Sequence, residues 1–417
     1  MTPPPALPRA HAALLVAAGA YLALLPTGAL SFWRSLAFAL AAIGTVAVLI
    51  GDRRNASAMP GLPGRAIPAL VLAWAAWSCA SIAWSVDRGF TAGEVKADVL
   101  WGLATIALFY VTATRVATGF VRLAGTLLAA FGFWTALAAG LALSTLGWDT
   151  EPFHRGDGAF ATYLVTVAPF LWMLGWTPPV GMRRSPRAWI ALALLLVLLV
   201  LTARLSENRI VWIALAASVL IVVLSAPRTG ALLPVAAAAG LLVVGFGLMF
   251  ADAAQERAQL VRPQDGSVAS AIAEDPRLAI WSHASEHIRD RPWIGHGYGL
   301  HILGREIGRD TGDAKVRHPH NLIASQWLQT GAIGALLFVA MFVAVAVRFV
   351  AFLRSRDVAL ARVGALGLAV IAGFAIRNLT DDFFLRANGK LLFAALAILL
   401  GAGVAREREL RRTRGPG

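Results

Sequence analysis

Apolar runs of about twenty residues recur along nearly the whole chain, and no other feature restricts the fold so tightly. A helix rises about 1.5 Å per residue, so each run can cross a hydrocarbon core roughly 30 Å thick. Of 417 residues, 58% are hydrophobic and only 14% charged, with a mean hydropathy of +0.68. A water-soluble domain of this length cannot bury so much apolar surface, whereas a bilayer accepts it without packing. The sequence predicts an all-α polytopic membrane protein of about twelve transmembrane helices. They fall near 11–28, 31–50, 66–84, 97–116, 121–144, 158–176, 187–203, 208–226, 231–251, 321–347, 358–376 and 389–405.

The net charge of +14 raises the question of nucleic acid, and its distribution answers it. Alternate loops, "GDRRNASAMPGLPGR", "RVATGFVR", "GMRRSPR", "APRTG", "RSRD" and the tail "RERELRRTRGPG", are basic and poor in acids. The opposite loops, such as "GWDTEPFHRGDG" and "RNLTDDFFLRANGK", mix both signs. That asymmetry is the positive-inside pattern, so the basic balance reports topology and not a nucleic-acid partner. It places both termini in the cytoplasm and the long segment from about Ala251 to His320 outside. The single cysteine, Cys79, lies within an apolar run, which leaves no disulfide and no thiolate metal site. The first helix lacks a small-residue cleavage site and a second follows at once, so it reads as a membrane helix rather than a removed signal.

Three parts result: a bundle of about nine helices over 1–250, an external cap over 251–320, and about three helices with a basic tail over 321–417. No fixed-period repeat is visible, and "MTPPPALP" and "RRTRGPG" read as disordered ends. Within the cap, "DPRLAIWSHASEHIRD" reads as an amphipathic helix with Asp275 as N-cap and Pro276 at its first position. Leu278, Trp281 and Ile288 are its candidate anchors, and Pro292 with a train of glycines ends it.

Five constellations carry potential chemistry. In "RHPHN", His318 and His320 either cap the next helix together with Asn321, or supply a neutral imidazole as general base. No acid adjoins them in sequence to complete a metal site. In "LTARLSENR", Arg204 and Arg209 crowd a short external turn with Glu207; they either snorkel or offer a guanidinium fork to phosphate. Arg277 heads the cap helix, where a helix N-terminus and an arginine suit an anion, while Arg289 and Arg291 at its tail read as solvated. "HASEH" spells an inverted zincin pattern, but the helix is brief and no third ligand is evident, so it reads as a polar face. Finally, Arg377, Asp381, Asp382 and Arg386 form either an ion-pair network or an outer layer that orients a catalytic group.

"HNLIASQWLQTGAIG" has the form H-N-x₉-G-x-x-G, fixed by His320, Asn321, Gly331 and Gly334. It resembles the signature of bacterial O-antigen ligases, whose superfamily also holds O-antigen polymerases and protein O-oligosaccharyltransferases. "RLAIWSHASEHIRDRPWIGHGYG" is similar to the family's external stretch through Arg277, Trp281, Pro292, Gly295 and Gly297. "NRIVWIALA" resembles its Ser-Arg helix start, with Asn208 where Ser is usual; Ala335 follows the second motif glycine where a threonine-like residue is common. The resemblance covers about Leu201 to Val347.

It implies a GT-C-like, metal-independent membrane glycosyltransferase with no cofactor. Such an enzyme moves a glycan from undecaprenyl diphosphate to a lipid A–core hydroxyl on the periplasmic face of the inner membrane. His320 is then expected as base, with Arg209 and Arg277 on the diphosphate. Arg204, His318, Arg291, Asp382, Trp281 and Asn321 are expected as further substrate contacts, and Gly331 and Gly334 as positions of close helix packing. A polymerase would use the same donor with a second lipid-linked glycan as acceptor. A lipid-linked glycan flippase would instead carry charges deep in its spans on both leaflets.

Overall fold

The computed structural model describes residues 8–54, 61–116, 118–144, 157–176, 186–229 and 276–413, with 240, 243 and 247 besides. Among the described residues all regular structure is helical. The bundle begins with α1 (Arg9–Leu24), α2 (Ser31–Arg54), α3 (Ala66–Ala80), α4 (Arg88–Glu94) and α5 (Trp101–Arg115). It continues with α6 (Gly119–Leu143), α7 (Asp157–Val167), α8 (Trp172–Gly175), α9 (Pro186–Leu205) and α10 (Arg209–Thr229). The external segment supplies α11 (Pro276–Asp290) and α12 (Gly304–Asp310), before α13 (Leu322–Leu353), α14 (Val358–Arg377) and α15 (Arg386–Thr413). Ten described stretches are long and apolar enough to cross a membrane. The expected all-α polytopic architecture is what forms, and the expected span 231–251 lies almost wholly outside the described residues.

Hydropathy missed several helix ends for identifiable reasons. α1 stops at Leu24 rather than near 28, because Pro26 has no amide hydrogen to continue the ladder. The fourth span starts at Arg88, not 97, where the Asp87 carboxylate caps the Phe90 amide at 2.9 Å. A π-helical stretch, Val95–Leu100, then joins α4 to α5. Its charged residues hide it from a hydropathy window, yet Arg386 pairs with Glu94 and donates its amide to Asp98 at 2.8 Å. α15 runs on through Arg411–Thr413, which had been expected to be disordered.

Contacts sort the helix ends into two groups. At one end Leu322 donates its amide to Asn378 at 3.0 Å, Arg377 reaches the Gly158 carbonyl at 3.1 Å, and Arg386 meets Glu94. At the other, Arg406 pairs with Asp357 at 2.8 Å and Arg348 with Glu407 at 2.5 Å. The first group includes the head of α13, where His320 and Asn321 lie, and is called here the motif end.

α13 is broken. Gly331 has φ 68° and ψ −177°, so the helix stops and restarts. The turn that follows α11 fills the gap. His296 and Gly297 donate their amides to the Leu328 and Gln329 carbonyls at 3.0 and 2.9 Å. In return the Pro292 carbonyl accepts from the Ala332 amide at 2.8 Å and from the Trp327 indole at 2.8 Å. A break inside a membrane helix survives only when its freed groups find such partners. Gly331 was expected to serve close helix packing. It instead supplies a left-handed backbone, and a Cβ there would lie 2.1 Å from the Trp293 carbonyl. Gly334 does pack closely: a Cβ added there would lie 2.8 Å from the Trp77 ring.

The cap sits on a small core of its own. Ile302, Leu303, Ile307 and Leu328 cluster, with Phe90, Ile288 and Val316 against them. On α11 the buried stripe is Ile280 and Ala284 with Ile288 half-buried, spaced four apart along one face. The expected anchor Trp281 is partly exposed, and the Leu278 side chain lies outside the described residues.

Replacing Gly331 by alanine should cost about 2 kcal/mol or more, from left-handed strain and collision with backbone. Gly125→Ala, where an added methyl meets open space in α6, should leave stability unchanged or higher. Thermal unfolding in detergent separates the two; equal midpoints would refute the interlock.

Candidate active site

The chain enters α13 through a tight reversal. Asn321 caps the helix, its side-chain oxygen accepting from the Ile323 and Ala324 amides at 3.0 Å each. Its amide group donates to the Leu379 carbonyl at 2.9 Å, which ties the motif to the turn between α14 and α15. His320, just before the cap, takes φ 49°, an uncommon conformation that non-glycine residues tolerate mainly when they are Asn, Asp or His.

That turn delivers Asp381 to the histidine. His320 Nδ1 lies 3.0 Å from Asp381 Oδ1, and the other carboxylate oxygen lies 3.5 Å from the Arg377 guanidinium. Arg377 is fully buried, donates to the Gly158 carbonyl and lies 4.9 Å over the Phe383 ring. Burial pushes the Asp381 carboxyl up, but the His320 hydrogen bond and the Arg377 charge outweigh it, so the group is held below its ordinary value. An ionised Asp381 can only accept. His320 Nδ1 therefore carries the hydrogen, and Nε2 is left as the basic nitrogen.

His318 stacks against this pair, its ring centroid 4.0 Å from that of His320. Its Nδ1 accepts the His320 amide at 3.2 Å. Burial first, and then the neighbouring His320, push its pKa down to about 3, so it is neutral and frames the site. His318, His320 and Asp381 also present ligand atoms within 4.8 Å of one another. Sequence had offered no acid beside the histidines; Asp381, sixty-one positions on, supplies it. A cation such as Zn²⁺ would find suitable donor types there, at the expense of the His320–Asp381 hydrogen bond.

The other expected residues fall into distinct places. The Asp382 side chain is buried and accepts the Phe384 amide at 3.1 Å, so it shapes the turn while Asp381 faces the histidine. The Trp281 indole donates to the Pro319 carbonyl at 2.9 Å, fastening α11 over the motif. Arg277 opens α11 one turn earlier, and its side chain lies outside the described residues. Arg291 is engaged elsewhere: it donates to the Trp84 carbonyl at 3.1 Å, about 15 Å along the helix direction from Trp281. Arg209 is exposed at the head of α10. The Ser218 hydroxyl donates to the Ala369 carbonyl at 2.9 Å, which fixes α10 against α14. Counted from that bond, Arg209 and Arg377 lie about 13 and 12 Å toward the motif end, at nearly the same height. Arg204 precedes the same turn, half-buried.

The zincin-like pattern resolves otherwise. His287 pairs with Asp310 at 2.8 Å, and its carbonyl accepts from His296. His283 is left with Glu286 at 3.7 Å. These contacts join α11, α12 and the glycine turn.

The fold and site together define a polytopic helical membrane protein with a histidine–aspartate pair at one membrane edge. Residues 190–339 match a family model described as O-antigen ligase. Over 278 residues the chain is 27% identical to an O-antigen ligase of Pseudomonas aeruginosa PAO1, covering 65% of this chain and 62% of that protein. It thus spans less than two thirds of that relative's length. The matched segment 190–339 holds the motifs His320, Asn321 and Gly331 and is similar to the family those motifs resemble. Asp381 and Arg377 lie beyond that segment.

Asp382 yields a pH prediction. Burial, with the Asp381 and Asp98 charges, pushes its pKa up from 3.8 to about 7. A carboxyl raised on folding destabilises the native state increasingly as pH climbs from its unfolded to its folded value. Asp382→Asn keeps the oxygen acceptor and removes this cost. Relative to the variant, the parent protein should lose thermal stability between about pH 4 and 7. Parallel curves would show that Asp382 does not titrate there.

Proposed function

We propose that this chain transfers a glycan from undecaprenyl diphosphate to a sugar hydroxyl of lipid A–core, at the external face of the inner membrane. The observation that carries the reading is the 3.0 Å His320–Asp381 hydrogen bond, set beside the family's motif at the head of α13. With Nδ1 held by Asp381, His320 Nε2 serves as general base. The acceptor oxygen attacks the anomeric carbon, the bond from that carbon to the diphosphate oxygen breaks, and the hydroxyl proton passes to Nε2. A single displacement inverts the anomeric centre.

Diphosphate is a good leaving group, so the remaining need is positive charge on the departing oxygens. Arg209 and Arg277 supply it, supported by Arg204, with forks that match phosphate in a way lysine does not. His318 shields the base, and Asn321 and Trp281 hold the backbone around it. No step in this reading calls for a metal ion.

His320→Asn tolerates the left-handed backbone and removes the base, so transfer should vanish while the protein still folds. Asp381→Asn should lower kcat about 10²- to 10⁴-fold with a smaller change in KM. Arg209→Lys should impair turnover, and activity should persist in EDTA. A purified-component assay decides these points; near-normal turnover by His320→Asn rejects the base. A disruption strain on a lipopolysaccharide gel tests the reaction class. Loss of all long chains with accumulating lipid-linked polymer supports ligation, whereas core bearing one repeat indicates polymerisation.

A further inference from the structure

At the end opposite the motifs, an apolar groove of about 910 Å³ lies between α3, α5, α13 and α15. Leu62 and Pro63, just before α3, stand at its mouth with Tyr110 of α5 and Leu400 of α15. Leu103 and Phe393 line its deep end. Seven positions separate Leu103 from Tyr110, and seven separate Phe393 from Leu400, so the groove runs about 10 Å along the bundle. A single leaflet of hydrocarbon is about 15 Å deep. Phe393 is also about 10 Å from the start of α15 at Arg386. The groove therefore belongs to the leaflet away from His320.

Arginines rim the mouth. The Tyr110 hydroxyl donates to the Gly61 carbonyl, and a Cβ added at Gly61 would lie 2.6 Å from the Arg408 guanidinium. That cation thus stands beside Leu62. Arg348 sits on α13 three residues past Val345, which lines the groove, and it pairs with Glu407. The charges acting on the Tyr110 hydroxyl include those of Arg408, Arg348 and Glu407. Those acting on Arg408 include Arg115 and Arg412. Four arginines gather around one carboxylate. Below them the wall is hydrocarbon, and Leu62 and Leu72 are 62% and 60% exposed, so the groove opens sideways toward lipid.

We propose that this groove binds an acidic phospholipid of the cytoplasmic leaflet, with its acyl chains along the groove and its phosphate at the arginine rim. The two halves of the site suit the two halves of one molecule. Its volume falls within the usual range for ligand pockets, roughly 300–1,000 Å³. The positive-inside pattern assigns this end to the cytoplasm, where acidic lipids give the membrane surface its negative potential. A zwitterionic lipid has the same tails but brings an ammonium to the arginines, so charge and not shape selects the occupant. Guanidinium forks match phosphate oxygens well. The lipid would bridge α3, α5, α13 and α15 where the Gly61–Tyr110 bond and the Arg348–Glu407 pair already join neighbouring elements. The site is separate from the reaction proposed above, whose chemistry lies at the other end of the bundle.

The test uses the full chain in detergent, titrated with phosphatidylglycerol or with phosphatidylcholine carrying the same acyl chains. Native mass spectrometry reads binding, and thermal unfolding reads stabilisation. Phosphatidylglycerol should bind about fivefold or more tightly than phosphatidylcholine and raise the unfolding midpoint further. Arg408→Gln and Arg115→Gln should each weaken phosphatidylglycerol binding about fivefold and leave phosphatidylcholine binding unchanged. Ala107→Trp, at an exposed position in the groove, should weaken binding of both lipids. Leu224→Trp, on the exposed face of α10 in the same leaflet and outside the groove, should behave as the parent does. Midpoints without lipid show that each variant folds; if an arginine variant does not, Ala107→Trp still decides. Glycerol phosphate should neither stabilise the protein nor displace the lipid, because a headgroup alone lacks the apolar half. Equal binding of both lipids, unaltered selectivity in both arginine variants, or parent-like binding by Ala107→Trp would overturn the site. Stabilisation by glycerol phosphate equal to that by phosphatidylglycerol would overturn the lipid as its occupant.

Discussion

The exchange of backbone hydrogen bonds between the Pro292–Gly297 turn and the broken helix at Gly331 holds the motif end together. Breaking a helix in a bilayer frees amides and carbonyls that no water can satisfy, at a cost of several kcal/mol for each group left alone. Here the freed carbonyls of Leu328 and Gln329 and the freed amide of Ala332 all find partners in one turn. Gly295 and Gly297 lie so close to this junction that added Cβ atoms would strike Gln329 and Ser85. The cap is therefore bonded into the membrane domain through its main chain. Everything that depends on the placement of His320 depends first on that union.

A second constraint is electrostatic. Arg377 is a fully buried cation, which survives only because carbonyl, carboxylate and aromatic partners surround it. Its charge reaches the surface through Asp381, which in turn orients His320. Phe384 locks the same turn from below, with its ring 4.9 Å from Phe338 and 5.3 Å from Phe393. Charge and packing thus fix one short loop from opposite sides. The His320 imidazole is positioned by residues that are themselves held by hydrogen bonds and packing.

Sequence disclosed the helices because a bilayer imposes a length and a composition that any window of twenty residues can register. The cap helix was equally legible, since Pro276 and the glycines after Asp290 mark its limits. What escaped was set by single torsions or by distance along the chain. One inverted φ at Gly331 leaves no trace in average hydropathy. Asp381 and Asp382 are adjacent and chemically identical, so sequence named the pair and singled out Asp382, the one that faces inward. Only the reversal after α14, capped by Asn378 and Asn321, decides which carboxylate meets the histidine. The Arg88 start was hidden for a related reason: Glu94 and Asp98 look unsuited to a membrane until Arg386 is seen to answer them.

The left-handed backbone at His320 also bears on how such a chain diverges. Most residue types would strain that turn, whereas asparagine and aspartate settle into it nearly as well as histidine. Both are one nucleotide change from a histidine codon. A lineage that abandoned the chemistry while keeping the architecture should therefore drift to Asn or Asp at this position before any other residue. Such a substitution in an otherwise intact motif would mark a descendant that keeps this turn and loses the imidazole.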